Sequence, residues 1–314
     1  MMRPVVHRLA GLALLCVAQW AQAGALAYVP NEKSASVSVI DTDTDQLTAS
    51  FALGKRPRGI AVGAEHLYLT DAQGSALLIA RRDSGKLERS VMLGESPEGV
   101  SLSADGRFLA VAMEDDNLVA LLSAPEGREL ARIKVHGKNP EHAVFSPDGR
   151  WIYVSAEEAE QIDVIDVAAR QQVASIDVGK RPRGIAFLPD GSRAYVACEV
   201  AGKVFAIDVA SRKVIAEIGA GQYPNGLAVH PDGRQVFVSN GRDPSVMAID
   251  VATNSVRATV AVGKRPWNMA VTPDGSKLYV ANGRSGTVSV VDTASMQKLR
   301  DVTVGELPWG VSIR

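Results

Sequence analysis

Seven times along the chain a glycine is followed, three residues later, by a proline that enters a short apolar run. The copies are Gly54-Lys55-Arg56-Pro57, Gly94-Glu95-Ser96-Pro97, Gly137-Lys138-Asn139-Pro140, Gly179-Lys180-Arg181-Pro182, Gly221-Gln222-Tyr223-Pro224, Gly263-Lys264-Arg265-Pro266 and Gly305-Glu306-Leu307-Pro308. Successive prolines lie 40, 43, 42, 42, 42 and 42 residues apart. A fixed period of about 40–45 residues with strand-like contents specifies a β-propeller, one repeat to a blade. A continuous repeat array of this kind makes one body of the chain rather than two domains.

Each repeat holds four Val- and Ile-rich runs separated by turn residues, the pattern of four antiparallel strands. In the sixth copy these are Pro266-Trp-Asn-Met-Ala-Val, Lys277-Leu-Tyr-Val-Ala-Asn282, Thr287-Val-Ser-Val-Val-Asp292 and Val302-Thr-Val. Pro-Asp-Gly separates the first two runs in four repeats, at Pro147, Pro189, Pro231 and Pro273. Proline presets φ, aspartate binds backbone amides, and glycine takes the left-handed position. The first run alternates small and large residues, as in Gly184, Ala186 against Ile185, Phe187, so both of its faces are expected to be buried.

The two ends of the array complement one another. Residues 310–314 supply only a first strand, whereas Leu26–Val29, Ser36–Asp41 and Leu47–Leu53 supply three strands without a first. The expected fold is all-β: a seven-bladed propeller of four-stranded antiparallel blades, closed by one C-terminal and three N-terminal strands. Closure removes the exposed sheet edges that invite aggregation.

Residues 1–23 read as a cleaved signal peptide, leaving residues 24–314 as the propeller. Arg3, His7 and Arg8 form a basic head, Leu9 to Ala18 are almost wholly apolar, and Ala21-Gln22-Ala23 is a cleavage site. An exported, periplasmic protein is therefore expected, with no membrane span after cleavage. Loss of Arg3 and Arg8 takes the net charge from −1 to −3, which offers no bulk attraction to nucleic acid. Cleavage also leaves Cys198 as the lone cysteine, expected to be a small buried apolar residue. A monomer is expected.

Leu278-Tyr-Val-Ala-Asn282, Ala194-Tyr-Val-Ala-Cys198 and Val236-Phe-Val-Ser-Asn240, each after Pro-Asp-Gly, resemble the YVTN-type propeller repeat. With seven regular repeats, short length and a secretory leader, the chain is most similar to exported propellers associated with PQQ-dependent alcohol catabolism. That resemblance implies partners of two kinds, a quinoprotein dehydrogenase or a transporter component. Related repeats also serve in surface layers, in DNA binding and in haem d1 proteins, so the fold leaves function open.

Strand direction sorts the loops. The Gly-x-x-Pro loops and the loops after each second strand share one face, and the residues following each proline ring the channel mouth. In blade order these are Arg58-Gly59, Glu98-Gly99, Glu141-His142, Arg183-Gly184, Asn225-Gly226, Trp267-Asn268 and Trp309-Gly310. Arg56, Arg181 and Arg265 lie two residues further out. Aromatic planes beside guanidinium groups suit a flat anionic ligand, which makes Arg58, Arg183, Trp267, Trp309, Asn268, Arg56 and Arg265 the candidate ligand-binding residues. The competing reading makes the Trp residues channel plugs and the Lys-Arg pairs solvated loop charges. Glu98, Glu141 and His142 form an acidic sector with metal-binding chemistry. The Asp residues closing third strands are expected to cap turns.

No motif for covalent haem, phosphate binding, zinc proteolysis or a nucleophile elbow occurs, and no cofactor is identified. The leading reading is a non-catalytic binding or scaffold propeller holding a small ligand or partner at this mouth. Two others stay open: a nucleic-acid-binding propeller, and a metal-dependent hydrolase or isomerase at the same place.

Overall fold

A computed structural model describes residues 24–314. The signal-peptide reading of residues 1–23 lies outside the described residues. Seven four-stranded sheets, all with antiparallel neighbours, form the ring. Blades 1 to 6 run through residues 57–92, 97–134, 140–177, 182–219, 224–261 and 266–303 in order. Blade 7 joins Ser312–Ile313 to Leu26–Asn31, Ser36–Asp41 and Gln46–Ala52.

The proline of each of the first six Gly-x-x-Pro copies opens an inner strand, because its fixed φ is extended and it needs no amide partner there. Second and third strands are buried almost throughout, while the outer strand of blade 7, Gln46–Ala52, is largely exposed. The core is therefore a set of inter-blade layers. Between blades 3 and 4, for example, Tyr153, Ile162 and Val164 pack on Ile185, Val196 and Cys198. Cys198 is fully buried, and burial pushes its thiol up to about 12, as befits an inert core residue.

Small residues are required where inner strands meet. A Cβ on Gly59, Gly184 or Gly226 would lie 2.5 to 2.6 Å from the carbonyl oxygen of Glu98, Asn225 or Trp267 on the next blade. The Pro-Asp-Gly glycines adopt φ of 71–79°, as their turn demands. The third-strand aspartates accept from amides two or three residues on, as Asp208 does from Ser211 and Asp292 from Ser295, so their capping role holds.

Blade 7 closes as expected, but with a shorter seam. Only Ala27↔Ile313 and Tyr28↔Ser312 form the regular ladder, because the chain loses register at Gly310 and Val311. Flanking bonds extend it: Trp309 N–H donates to Pro30 O at 2.9 Å, and Leu26 and Arg314 exchange N–H···O bonds at 2.9 and 3.1 Å.

Candidate functional site

A hydroxyl on the second strand fixes the position of several mouth residues. Gly59 N–H donates to Thr70 Oγ1 at 2.8 Å, and that hydroxyl donates to Glu98 O on the following blade at 2.5 Å. Ser239 repeats the arrangement, accepting from Gly226 N–H at 2.9 Å and donating to Trp267 O at 2.7 Å. The post-proline residues are thus stapled blade to blade, and their side chains converge on the axis.

They line a cavity of about 150 Å³ with Glu32, Glu114, Asn225 and Arg265. Arg58, Glu98, Glu141, Arg183, Trp267, Asn268 and Trp309 all reach it, as the repeat alignment predicts. Arg56 does not. It sits on the rim, nearly half exposed, and donates from Nε to Glu32 Oε1 at 2.6 Å.

One side of this mouth is a network of ion pairs. Arg58 Nη1 pairs with Glu98, and its Nη2 lies 3.5 Å from Glu32. Arg183 pairs through Nη1 with Glu141 and Glu157 and through Nε with Glu199 at 2.9 Å. Arg181 Nε joins from above, 2.9 Å from Glu157 and 3.2 Å from Glu199. Burial pushes the Glu157 carboxyl up to about 7 despite Arg181, and nearby Glu114 adds to the rise. Glu114 has no cation within ion-pair distance among the described residues; Ser96 Oγ lies 3.2 Å from it.

Two expectations meet this network. Arg58 and Arg183, candidate ligand-binding residues, are engaged by buried carboxylates rather than free. Glu98 and Glu141, read with His142 as metal-binding, serve in it as ion-pair partners. Among the described residues no group of three or more His, Cys, Asp or Glu is arranged to hold a metal. His142 lies below the carboxylates, its Nε2 3.9 Å from Glu141 and without a hydrogen-bond partner. Burial lowers its pKa to about 4, so the ring is neutral.

The Trp309 indole comes within 5.5 Å of the His142 ring, although the two belong to blades 7 and 3, on opposite sides of the axis. Trp309 therefore reaches across the axis while lining the cavity. Trp267 stays on its own side. It packs on Gly283, whose Cβ position is 3.0 Å from the indole, and stays partly exposed beside Arg265, with Cζ 5.9 Å from the ring centroid. Arg265 makes no side-chain hydrogen bond among the described residues, and its single ion pair, to Glu199, is 3.5 Å long.

The residue that follows the second strand explains this division. It is Glu32, Glu114, Glu157 and Glu199 in blades 7, 2, 3 and 4, Ala72 in blade 1, and Gly241 and Gly283 in blades 5 and 6. Sequence reading missed these glutamates by attending to the proline side of the ring. Aligning the residue after each second strand would have found them.

A family model for YNCE-like β-propellers matches residues 51–232, and one for seven-bladed β-propeller lactonases matches residues 167–306. No curated protein matches the chain in sequence. Two solved structures share the fold. Hydrazine synthase of Kuenenia stuttgartiensis aligns at 22% identity over 85% of this chain and 92% of that one, with a TM-score of 0.78. A functionally unknown protein from Desulfotomaculum acetoxidans aligns at 17% identity over 92% and 98%, with a TM-score of 0.80.

Proposed function

The chain belongs to the YNCE-like β-propeller family, and from that premise we propose that it is an exported binding or scaffold propeller whose mouth receives a small group from a partner. The carrying observation is the asymmetry of the mouth. On its carboxylate side every cavity glutamate but Glu114 is paired with an arginine, while Trp267, Asn225, Asn268 and the weakly paired Arg265 face the cavity on the other. At about 150 Å³ the cavity falls below the ~300–1,000 Å³ of sites that enclose a whole cofactor or drug-sized ligand. A planar or carboxylate-bearing side chain or head group, lying against Trp267 with its charge toward Arg265, matches the space and the chemistry.

The YVTN-like repeats favour a partner from a PQQ-dependent alcohol-oxidising system, a quinoprotein dehydrogenase or transport component. Copurification with a purified quinoprotein alcohol dehydrogenase tests this, with Trp267→Ala as the comparison. Retention of the dehydrogenase by wild type and its loss in the variant is the expected result. Equal retention by both would remove the mouth from the interaction.

A lactonase reading draws on the family model over residues 167–306 and on Glu157, whose raised carboxyl suits a general base. It is the weaker one, since Glu157 sits behind Arg183 rather than on the cavity wall. Lactone turnover that disappears in Glu157→Gln would reverse the ranking.

A further inference from the structure

On the rim above the cavity the loops after the second strands are acidic in blades 2 and 3 and basic in blades 5 and 6, while the Gly-x-x-Pro loops of blades 1, 3 and 4 carry Lys55 and Arg56, Lys138, and Lys180 and Arg181. Loops after the second strands carry Glu114, Asp115 and Asp116 in blade 2 and Glu157 and Glu158 in blade 3. The equivalent loops of blades 5 and 6 carry Arg242 and Arg284, and the Gly-x-x-Pro loop of blade 6 adds Lys264 and Arg265.

These four cations form one continuous surface. A Cβ on Gly241 would lie 3.6 Å from Arg265 Cδ, so the Arg265 side chain of blade 6 covers the blade 5 loop. Arg242 stacks at 4.0 Å over the Tyr223 ring, and Gly241 N–H donates to Tyr223 O at 2.8 Å. Arg284 N–H in turn donates to Lys264 O at 3.1 Å. Among the described residues, none of Lys264, Arg242 and Arg284 has a carboxylate within 4.0 Å, and all three are exposed. Asp243, the acid nearest in sequence, already accepts from the Gln222 amide at 2.7 Å.

We infer that the rim of blades 5 and 6 is a docking surface for an acidic polypeptide segment, held by Arg242, Lys264, Arg265 and Arg284. This rests on the reading of the mouth as a partner's receptor and names the chemistry of the partner. The cations are spread over loops of two blades, so a chain with repeated carboxylates engages them better than one small anion does. The acidic loops of blades 2 and 3 repel the same segment and so set its orientation across the face. They also disfavour a long polyphosphate, which would have to pass over them, and the net charge of −1 gives a nucleic acid no bulk attraction.

The test is fluorescence anisotropy with a dye-labelled hexaglutamate peptide, and with a labelled thymidine oligonucleotide of equal charge. We expect peptide binding that weakens as salt rises from about 20 to about 200 mM, the range over which screening acts on exposed charges. Arg242→Glu with Arg284→Glu is expected to weaken it at least about tenfold, whereas Arg128→Glu on the far face leaves it unchanged. The docking inference is overturned by absent peptide binding, by binding indifferent to the charge reversal, or by tighter binding of the oligonucleotide. Failure here leaves the mouth standing if Trp267→Ala still releases the dehydrogenase. Conversely, peptide binding with an indifferent Trp267→Ala would retain the rim and remove the mouth.

Discussion

The two halves of the mouth are built from the same repeat and solve opposite problems. In blades 7, 2, 3 and 4, glutamates project toward the axis, and arginines of blades 1 and 4 pair with all of them except Glu114. In blades 5 and 6 the slot holding four of those glutamates elsewhere is glycine, and the vacated space admits Trp267 and Arg265. A buried ion pair adds little net stability but is expensive to break, whereas truncating a partly exposed indole strands no charge. The first half is therefore suited to holding the channel rigid, and the second to binding.

That contrast is most directly broken at Arg183. Its replacement by Ala strands buried Glu141 and leaves Glu157 and Glu199 to Arg181 and Arg265, so a loss of about 3–5 kcal/mol in denaturant unfolding is expected. A loss below about 1 kcal/mol would mean that the network behaves as a solvent-screened surface pair.

Next in size is acid sensitivity. The folded-state pKa of His142, about 4, lies below its ordinary value of 6.5, so the unfolded chain binds the extra proton. Its contribution is fully present above about pH 6.5 and falls away as pH drops toward 4, by on the order of 3 kcal/mol. Glu157 slopes the other way: its raised carboxyl favours the fold at low pH, and that advantage is lost as pH rises from about 4.5 through about 7. Stability measured against pH in wild type, His142→Gln and Glu157→Gln separates the two. A His142→Gln profile as steep as wild type between pH 4 and 6.5 would remove the histidine from the account.

In the open half, Trp267→Ala is expected to lower stability by about 1–2 kcal/mol while weakening partner binding at least about tenfold, in proportion to a hot spot. Arg265→Ala is the mildest change. With one 3.5 Å ion pair and no side-chain hydrogen bond among the described residues, it should stay within about 0.5 kcal/mol in thermal melts. A larger loss would place Arg265 with the structural arginines of the other half.

Most of the fold was legible because each repeat states the same instructions. Gly-x-x-Pro marks the inner strand, Pro-Asp-Gly the first turn, and the complementary ends predict the closing blade. Much of the site was legible too, since ring symmetry places equivalent residues at equivalent depths. Arg58, Glu98, Glu141, Arg183, Trp267, Asn268 and Trp309 all reach the mouth for that reason. What the repeat does not show is the partnering. Arg58 and Arg183 read as free cations because ring order alone does not show them pairing with Glu98 and Glu141 of the same ring, and because Glu32, Glu157 and Glu199 come from a different slot. His142 read as a metal ligand because nothing local shows it lying under an indole from the far side of the ring.

The seven Gly-x-x-Pro repeats by themselves determine how many blades there are, which strand is innermost and which residues face the axis. These follow from period and alternation, which are properties of the chain taken in order. The tertiary structure alone decides which of those residues remain available. Around a closed ring of small radius, residues far apart in sequence compete for the same few ångströms, and charge neutralisation and burial settle who meets whom. Here that competition ties blades 7, 1 and 2 together through Arg58 and blades 3 and 4 through Arg183, sends Trp309 across to His142, and leaves blades 5 and 6 open.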